Sequence, residues 1–216
     1  MAKKRRKLRQ EVVLAFCTLL VIVCGVILVA PTYINDPQDN MQNNEIRQKM
    51  VNEDNIGELL DQKNINIGES TKIRSLLRDK LPAGLFLSTF DITLDKLTVK
   101  YALTERSEKT PEDYAAFWTE DNCQQIVMYN TAALFVLVRN LEIIEIDVEG
   151  YAYPSCIITR AEADALFEEA LADIADAESW QSVLIDNGVY DDESREAFFA
   201  AHPLERTATA MPNSQN

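Results

Sequence analysis

The run Cys123–Val148, CQQIVMYNTAALFVLVRNLEIIEIDV, changes its hydrophobic period part-way along, and that change sets the fold class. Ile126, Ala133, Leu134, Leu137, Val138 and Leu141 recur at i, i+3/i+4 and i+7, and Ala132, Phe135 and Val136 widen the stripe. This pattern predicts a helix over Cys123–Leu141 that is buried around most of its circumference. Asn140 ends it. From Leu141 to Val148, Ile144, Ile146 and Val148 alternate with charged residues, the period of a strand with one buried face, and Gly150 breaks the run. Asn130 and Arg139 bracket only eight apolar-compatible residues, so the helix is too short in apolar length to cross a bilayer and belongs to a core.

Outward from this run, the neighbouring segments supply partners. Leu97, Val99, Tyr101 and Leu103 alternate with polar residues, so Phe86–Leu94 and Lys96–Thr104 read as a hairpin turning at Asp95. Ser70 suits the N-cap of a helix over Thr71–Lys80 that carries Ile73, Leu76 and Leu77 and is closed by Pro82. Thr110-Pro111-Glu112-Asp113 starts a short helix to about Trp118. Tyr151–Ile158 reads as extended, and Thr159-Arg160-Ala161-Glu162 is a capping box for a helix with Leu166, Phe167, Ala170 and Leu171. Ser194–Ala201 is a short helix whose N-terminal charge comes from Asp191, Asp192 and Glu193. Between Asn44 and Gln62, Ile46, Met50, Ile56, Leu59 and Leu60 give one or two short helices around Gly57. The expected fold is a small α+β domain over 45–202, with an antiparallel sheet from Phe86–Thr104 and Leu141–Val148 packed on the Cys123–Leu141 helix. Residues 203–216 read as a disordered tail.

Ahead of this domain lies a different kind of segment. Val12–Ala30 is 19 residues without a charge, and a helix of that length spans the roughly 30 Å hydrocarbon core. The flanking residues Lys3, Lys4, Arg5, Arg6, Lys7 and Arg9 precede it, and Asp36 and Asp39 follow. By the positive-inside rule, 1–11 is a cytoplasmic tail, 12–30 a transmembrane helix and everything after Pro31 extracytoplasmic. A cleaved signal peptide fits less well, because the run is longer than a typical h-region and cleavage after Ala30 puts Pro31 at +1. Asn35–Asn44 is rich in Asn, Asp and Gln, so 31–44 reads as a polar spacer. The expected partners are the lipid bilayer, through Val12–Ala30, and a membrane protein.

The net charge of −14 conceals an asymmetry. Behind the anchor, 15 basic residues stand against 34 acidic ones. Such a surface repels phosphate backbones, which excludes nucleic acid as a partner of the folded part.

The inventory of chemical groups argues against catalysis. His202 is the only histidine, so no Ser-His or Cys-His pair can be assembled near neutral pH without it, and it stands beside Pro203 near the C-terminus. Cys123, Cys156 and His202 are too few for a structural zinc site, and the acidic runs do not match a calcium-loop spacing, so no metal or cofactor is expected. Cys123 and Cys156 fit a disulfide in an oxidising compartment and fit two buried thiols equally well. Among the aromatic residues, Trp118, Tyr151 and Tyr153 are the interaction candidates: Trp118, with Phe117 beside an amphipathic helix, fits a core better than a contact, whereas the two tyrosines share one face of an extended segment after Gly150.

Three stretches resemble a known family: Ile67-Gly68 leading into the helix that ends at Leu81-Pro82, the strand LTVKY at 97–101, and NTAALFVLVRNLEII at 130–144. Over roughly Gly57–Trp180 the chain resembles the family called domain of unknown function 4825. That resemblance implies a Gram-positive bacterium and a single N-terminal anchor, with no chemistry attached to particular residues. The expected function is therefore non-catalytic extracytoplasmic binding or sensing. Its alternatives are a structural accessory of a membrane complex and a carboxylate-dependent extracytoplasmic hydrolase.

Overall fold

In a computed structural model that describes residues 46–152 and 154–207, the chain begins with helical turns over 46–51 and then α1 (Glu53–Leu60). Asn52 caps α1 by accepting from the Asn55 amide, with Glu53 and Asp54 at its positive end. Helix α2 (Ser70–Ser75) continues as a π-helical stretch over Leu76–Lys80, and extended backbone at Leu81, ahead of Pro82, stops it. The N-cap is Glu69 rather than Ser70, and it makes no side-chain cap bond.

Strands β1 (Leu87–Thr93) and β2 (Lys96–Tyr101) form the expected antiparallel hairpin. Its tip is Leu94-Asp95, where Leu94 takes a left-handed φ of 58° while 89% exposed. Helix α3 (Pro111–Phe117) starts at a complete capping box between Thr110 and Asp113. Helix α4 (Glu120–Leu137) starts at Thr119, whose hydroxyl accepts from the Asn122 amide. Strands β3 (Ile143–Val148) and β4 (Cys156–Thr159) follow, and then α5 (Arg160–Leu166) with its predicted Thr159–Glu162 capping box. Beyond them come α6 (Ala177–Ser179), which runs on as a π-helix over Trp180–Val189, and α7 (Asp192–Ala201), capped by Asp191 accepting from the Ser194 amide.

The sheet runs β1-β2-β3-β4 and is mixed. Pairing is antiparallel for β1–β2 and β3–β4 but parallel for β2–β3, with Lys96 opposite Ile143 and Tyr101 opposite Val148. This corrects the antiparallel sheet expected from sequence. A helix of 18 residues is about 27 Å long, which returns the chain to the end of the sheet where β2 began, so β3 runs the same way as β2.

Helix α4 is the centre of the core. Cys123 and every residue from Ile126 to Leu137 are buried, which is the pattern of a helix covered on all sides. Leu97, Val99 and Tyr101 of β2, Ile144, Ile146 and Val148 of β3, and Cys156 and Ile158 of β4 share its core cluster, as do Leu171, Ile174, Trp180, Leu184 and Phe198. The C-terminal carbonyls of α4 are held by one residue: Arg160 donates from Nη1 to Phe135 O and from Nη2 to Val138 O (both 2.8 Å), and from Nε to Leu141 O (2.9 Å). Its guanidinium also lies 5.0 Å over the Phe135 ring.

The opposite face of the sheet is polar. Lys96 pairs with Glu145 and Lys100 with Asp147 across β2–β3, and the two carboxylates are buried beneath their lysines. The end of the described chain is also placed: Thr207 N donates to Gly150 O (3.0 Å), and a bridge pairs Tyr151 with Arg206. Ala152 N also donates to Glu205 O, so residues 205–207 lie along 150–152. The expected cytoplasmic tail 1–11, the expected anchor Val12–Ala30, the expected spacer 31–44 and residues 208–216 lie outside the described residues. Among the described residues no helix is long and apolar enough to cross a membrane.

Candidate functional site

The segment between α2 and β1 doubles back on itself. Ala83 adopts a left-handed conformation (φ 62°) that a residue with a Cβ rarely takes, and it is buried. The next residue has to be glycine. A Cβ on Gly84 would lie 2.0 Å from the Arg78 carbonyl oxygen, so this close approach pins the Pro82–Phe86 turn against the end of α2.

The turn forms one wall of a pocket of about 60 Å³ lined by Ile46, Lys49, Pro82, Ala83, Gly84, Leu85, Phe86, Lys109, Asp113 and Phe117. Its aromatic floor is fixed from behind. The Phe86 ring packs edge-to-face on Tyr114 (5.1 Å) and tilted on Phe117 (4.8 Å), and Trp118 joins Phe117 at 5.2 Å and Tyr101 at 5.4 Å. Asn130 of α4 ties the wall to the core by donating to Pro82 O (3.1 Å) and to Tyr101 Oη (2.9 Å). A second, shallower depression of about 340 Å³, lined by Gln48, Lys49, Asn52, Asn55 and Glu58, shares Lys49 with the first.

The electrostatics of the pocket differ from those of the surrounding domain. Asp113 accepts hydrogen bonds from Thr110 N (2.9 Å) and from the Thr110 hydroxyl (3.0 Å), which hold its carboxyl below the ordinary carboxylate range, and the nearby Lys109 lowers it further. Lys49 and Lys109 make no hydrogen bond or ion pair through their ammonium groups among the described residues, whereas the other lysines there are all engaged. Lys72 pairs with Glu69, Lys80 with Glu58, Lys96 with Glu145 and Lys100 with Asp147, and Lys63 donates to the carbonyls of Ala172 and Ile174.

The sequence-predicted interaction residues are not at this surface. Trp118 is 3% exposed and belongs to the aromatic cluster behind the pocket, so its role is to support the floor. Tyr151 is buried under Arg206, whose guanidinium lies 5.4 Å over the ring and donates to Tyr151 Oη (3.3 Å) and to Trp118 O (2.9 Å). Tyr153 lies outside the described residues. Cys123 and Cys156 are both free, buried thiols, and burial pushes each pKa up to about 12, so neither is a thiolate at neutral pH. The carboxylates of Glu69, Asp113, Glu162, Asp176 and Asp191 are each held below their ordinary value by hydrogen bonds, at helix starts in every case. Among the described residues no group of His, Cys, Asp or Glu is arranged to hold a metal ion.

Residues 59–158 match the family model for a domain of unknown function, DUF4825. No curated protein and no solved structure matches the chain. The DUF4825 segment runs from the end of α1 into β4 and so contains the hairpin, α4, the Ala83-Gly84 turn and Lys109. Ile46 and Lys49 precede it, so the pocket is completed by residues outside the DUF4825 match.

Sequence reasoning did not find Lys49, Ala83 or Lys109 as site residues. Lys109 could have been noticed as the cation beside the Thr110-Pro111 helix start, but its convergence with Lys49 is a product of the tertiary fold.

Proposed function

We propose that this chain is a single-pass membrane protein, anchored by Val12–Ala30 with its N-terminus in the cytoplasm, whose folded domain binds a ligand on the outer side without catalysing a reaction. A Gram-positive cell envelope is the setting that the family resemblance implies, and it belongs to the same proposal. The observation that carries the binding reading is the pocket itself. Its wall is held in a strained conformation at Ala83, and its two lysines make no hydrogen bond or ion pair among the described residues, in a chain with a large excess of carboxylates. The non-catalytic reading draws support from the carboxyls, because those shifted from their ordinary range among the described residues move down and, Glu69 apart, serve in helix caps, whereas a carboxylate hydrolase calls for a raised one in a cleft.

A structural accessory role is the second reading. It is favoured by the polar sheet face, which ends in the exposed Leu94 and carries Ile157 at 42% exposure on the edge strand β4.

The two readings separate in one experiment. Full-length protein in detergent is screened for thermal stabilisation by a small-molecule library, and intact cells are cross-linked in parallel with a version truncated after Asn44 as control. A ligand-dependent rise in Tm supports binding. No rise, together with a membrane protein captured only when the domain is present, moves the assignment to the accessory role.

A further inference from the structure

We infer that the pocket between the Pro82–Phe86 turn and α3 is a recognition site for a carboxylate carried on a short apolar group. This deepens the binding reading above and rests on it. Lys49 and Lys109 contribute two positive charges to the lining and Asp113 one negative, leaving a net +1 that suits a monoanion better than a doubly charged phosphate. Asp113 accepts two hydrogen bonds from Thr110 and is attracted by Lys109 at longer range, but forms no ion pair with either lysine among the described residues.

The arginines sharpen the point. Those that make no ion pair among the described residues and lie over no ring, Arg78, Arg106 and Arg139, are all exposed and line neither depression. Unpartnered lysines converge at the pocket, whereas unpartnered arginines do not. Lysine is a point charge with rotatable donors and does not impose the two-pronged geometry of an arginine fork, which fits a small head group entering from solvent.

Size and polarity set the rest of the ligand. One water needs roughly 10–15 Å³ by the same kind of measure, so a volume of about 60 Å³ accommodates a carboxylate with a few carbons and not a drug-sized molecule. Ile46, Leu85, Phe86 and Phe117 give the carbons an apolar surface, and Leu85 is 49% exposed at the rim. The adjoining depression, with Gln48, Asn52 and Asn55, offers amide groups to anything that continues past Lys49. Two sources have this chemistry: a free short-chain or aromatic acid, and the C-terminal residue of a peptide.

The test is titration calorimetry on the full-length chain in detergent at fixed low salt. The probes are butyrate and phenylacetate, their neutral amides, inorganic phosphate, and a short peptide ending in Leu with a free or amidated C-terminus. The acids or the free peptide bind, the matching amides bind at least tenfold more weakly, and Lys49→Gln or Lys109→Gln each weakens the acid at least tenfold. Lys72→Gln, whose partner is Glu69, leaves the affinity unchanged and controls for net charge. Tighter binding of the free peptide than of either small acid identifies a peptide terminus as the source, and the reverse order identifies a free acid. Equal binding of acid and amide, preference for phosphate, or affinity indifferent to both lysine variants overturns the carboxylate assignment. If all acids fail while another library compound still raises Tm and loses that effect in Lys49→Gln, the carboxylate class falls and the binding reading stands. If no compound of any kind raises Tm, both fall.

Discussion

Lysine has two roles in this domain, and the sheet face and the pocket separate them. On the sheet, Lys96 and Lys100 lie across β2–β3 from Glu145 and Asp147, and each ammonium covers a carboxylate that is 5–6% exposed. Lys49 and Lys109 line the pocket together with apolar and aromatic residues and Asp113, and make no ion pair among the described residues. The chain has 35 acidic residues to draw on, so partners were not scarce. Pairing on the sheet is part of folding, whereas the pocket lysines form no ion pair among the described residues and are the ones a ligand could engage under the proposed binding reading.

The largest effect that could break this contrast is on the sheet. Lys96→Ala leaves the Glu145 carboxylate buried without its cation, and the expected cost is about 2 kcal/mol, below the full value for a buried pair because Lys96 is itself partly exposed. Urea denaturation of the full-length chain measures it. A cost no greater than that of the pocket double variant would erase the distinction. For that double variant, Lys49→Gln with Lys109→Gln, the expected change in stability is within about 0.5 kcal/mol, as for surface substitutions, even as ligand binding is lost.

A pH series sharpens the comparison from the pocket side. The Asp113 carboxyl is held below its ordinary value mainly by the Thr110 backbone and hydroxyl bonds. A lowered folded-state pKa stabilises the fold above the ordinary carboxylate pKa of about 4, and this contribution is lost as pH falls through the folded value. Acid therefore lowers Tm, and Thr110→Val, which removes the hydroxyl bond, flattens that acid limb while leaving neutral-pH binding by the lysines in place. The smallest expected effect is at the hairpin tip. Leu94→Asn places a residue that tolerates the left-handed region at φ 58° and removes an exposed leucine, for a gain of about 0.5 kcal/mol in the same denaturation assay.

The elements were largely legible because each is written in one local period. The all-round apolar run of α4, the alternation of LTVKY and the Thr110 and Thr159 capping boxes all appear where the pattern put them, within a few residues at the ends. The direction of β3 against β2 was not legible, since alternation says which residues face the core and is silent on the partner's polarity. Nor were the π-helical stretches at Leu76–Lys80 and Trp180–Val189, which no 3.6-residue period anticipates. In the second, close packing of the Phe167 ring leaves no room for a side chain at Gly188. Trp118 and Tyr151 could be named only as candidates for contact, because an aromatic residue in a short or extended segment satisfies the pattern for either a core or a contact, and both are buried. Arg206, far along the chain, decides the matter for Tyr151. The pocket was illegible for the same reason: Lys49 and Lys109 meet only once the turn at Ala83 has been made.

The parallel pairing of β2 with β3 has a consequence for the order of assembly. The β1–β2 hairpin can close as soon as Tyr101 has been made, but the second edge of β2 has no partner until α3, α4 and the whole of β3 have followed. Closing that long loop carries an entropic cost before any ladder bond forms, so the step is expected to be the slow one. In the interval, Leu97, Val99 and Tyr101 line a strand open to pairing with another chain. Lys96 and Lys100 are charges of the kind that discourage such edge-to-edge pairing before Glu145 and Asp147 reach them.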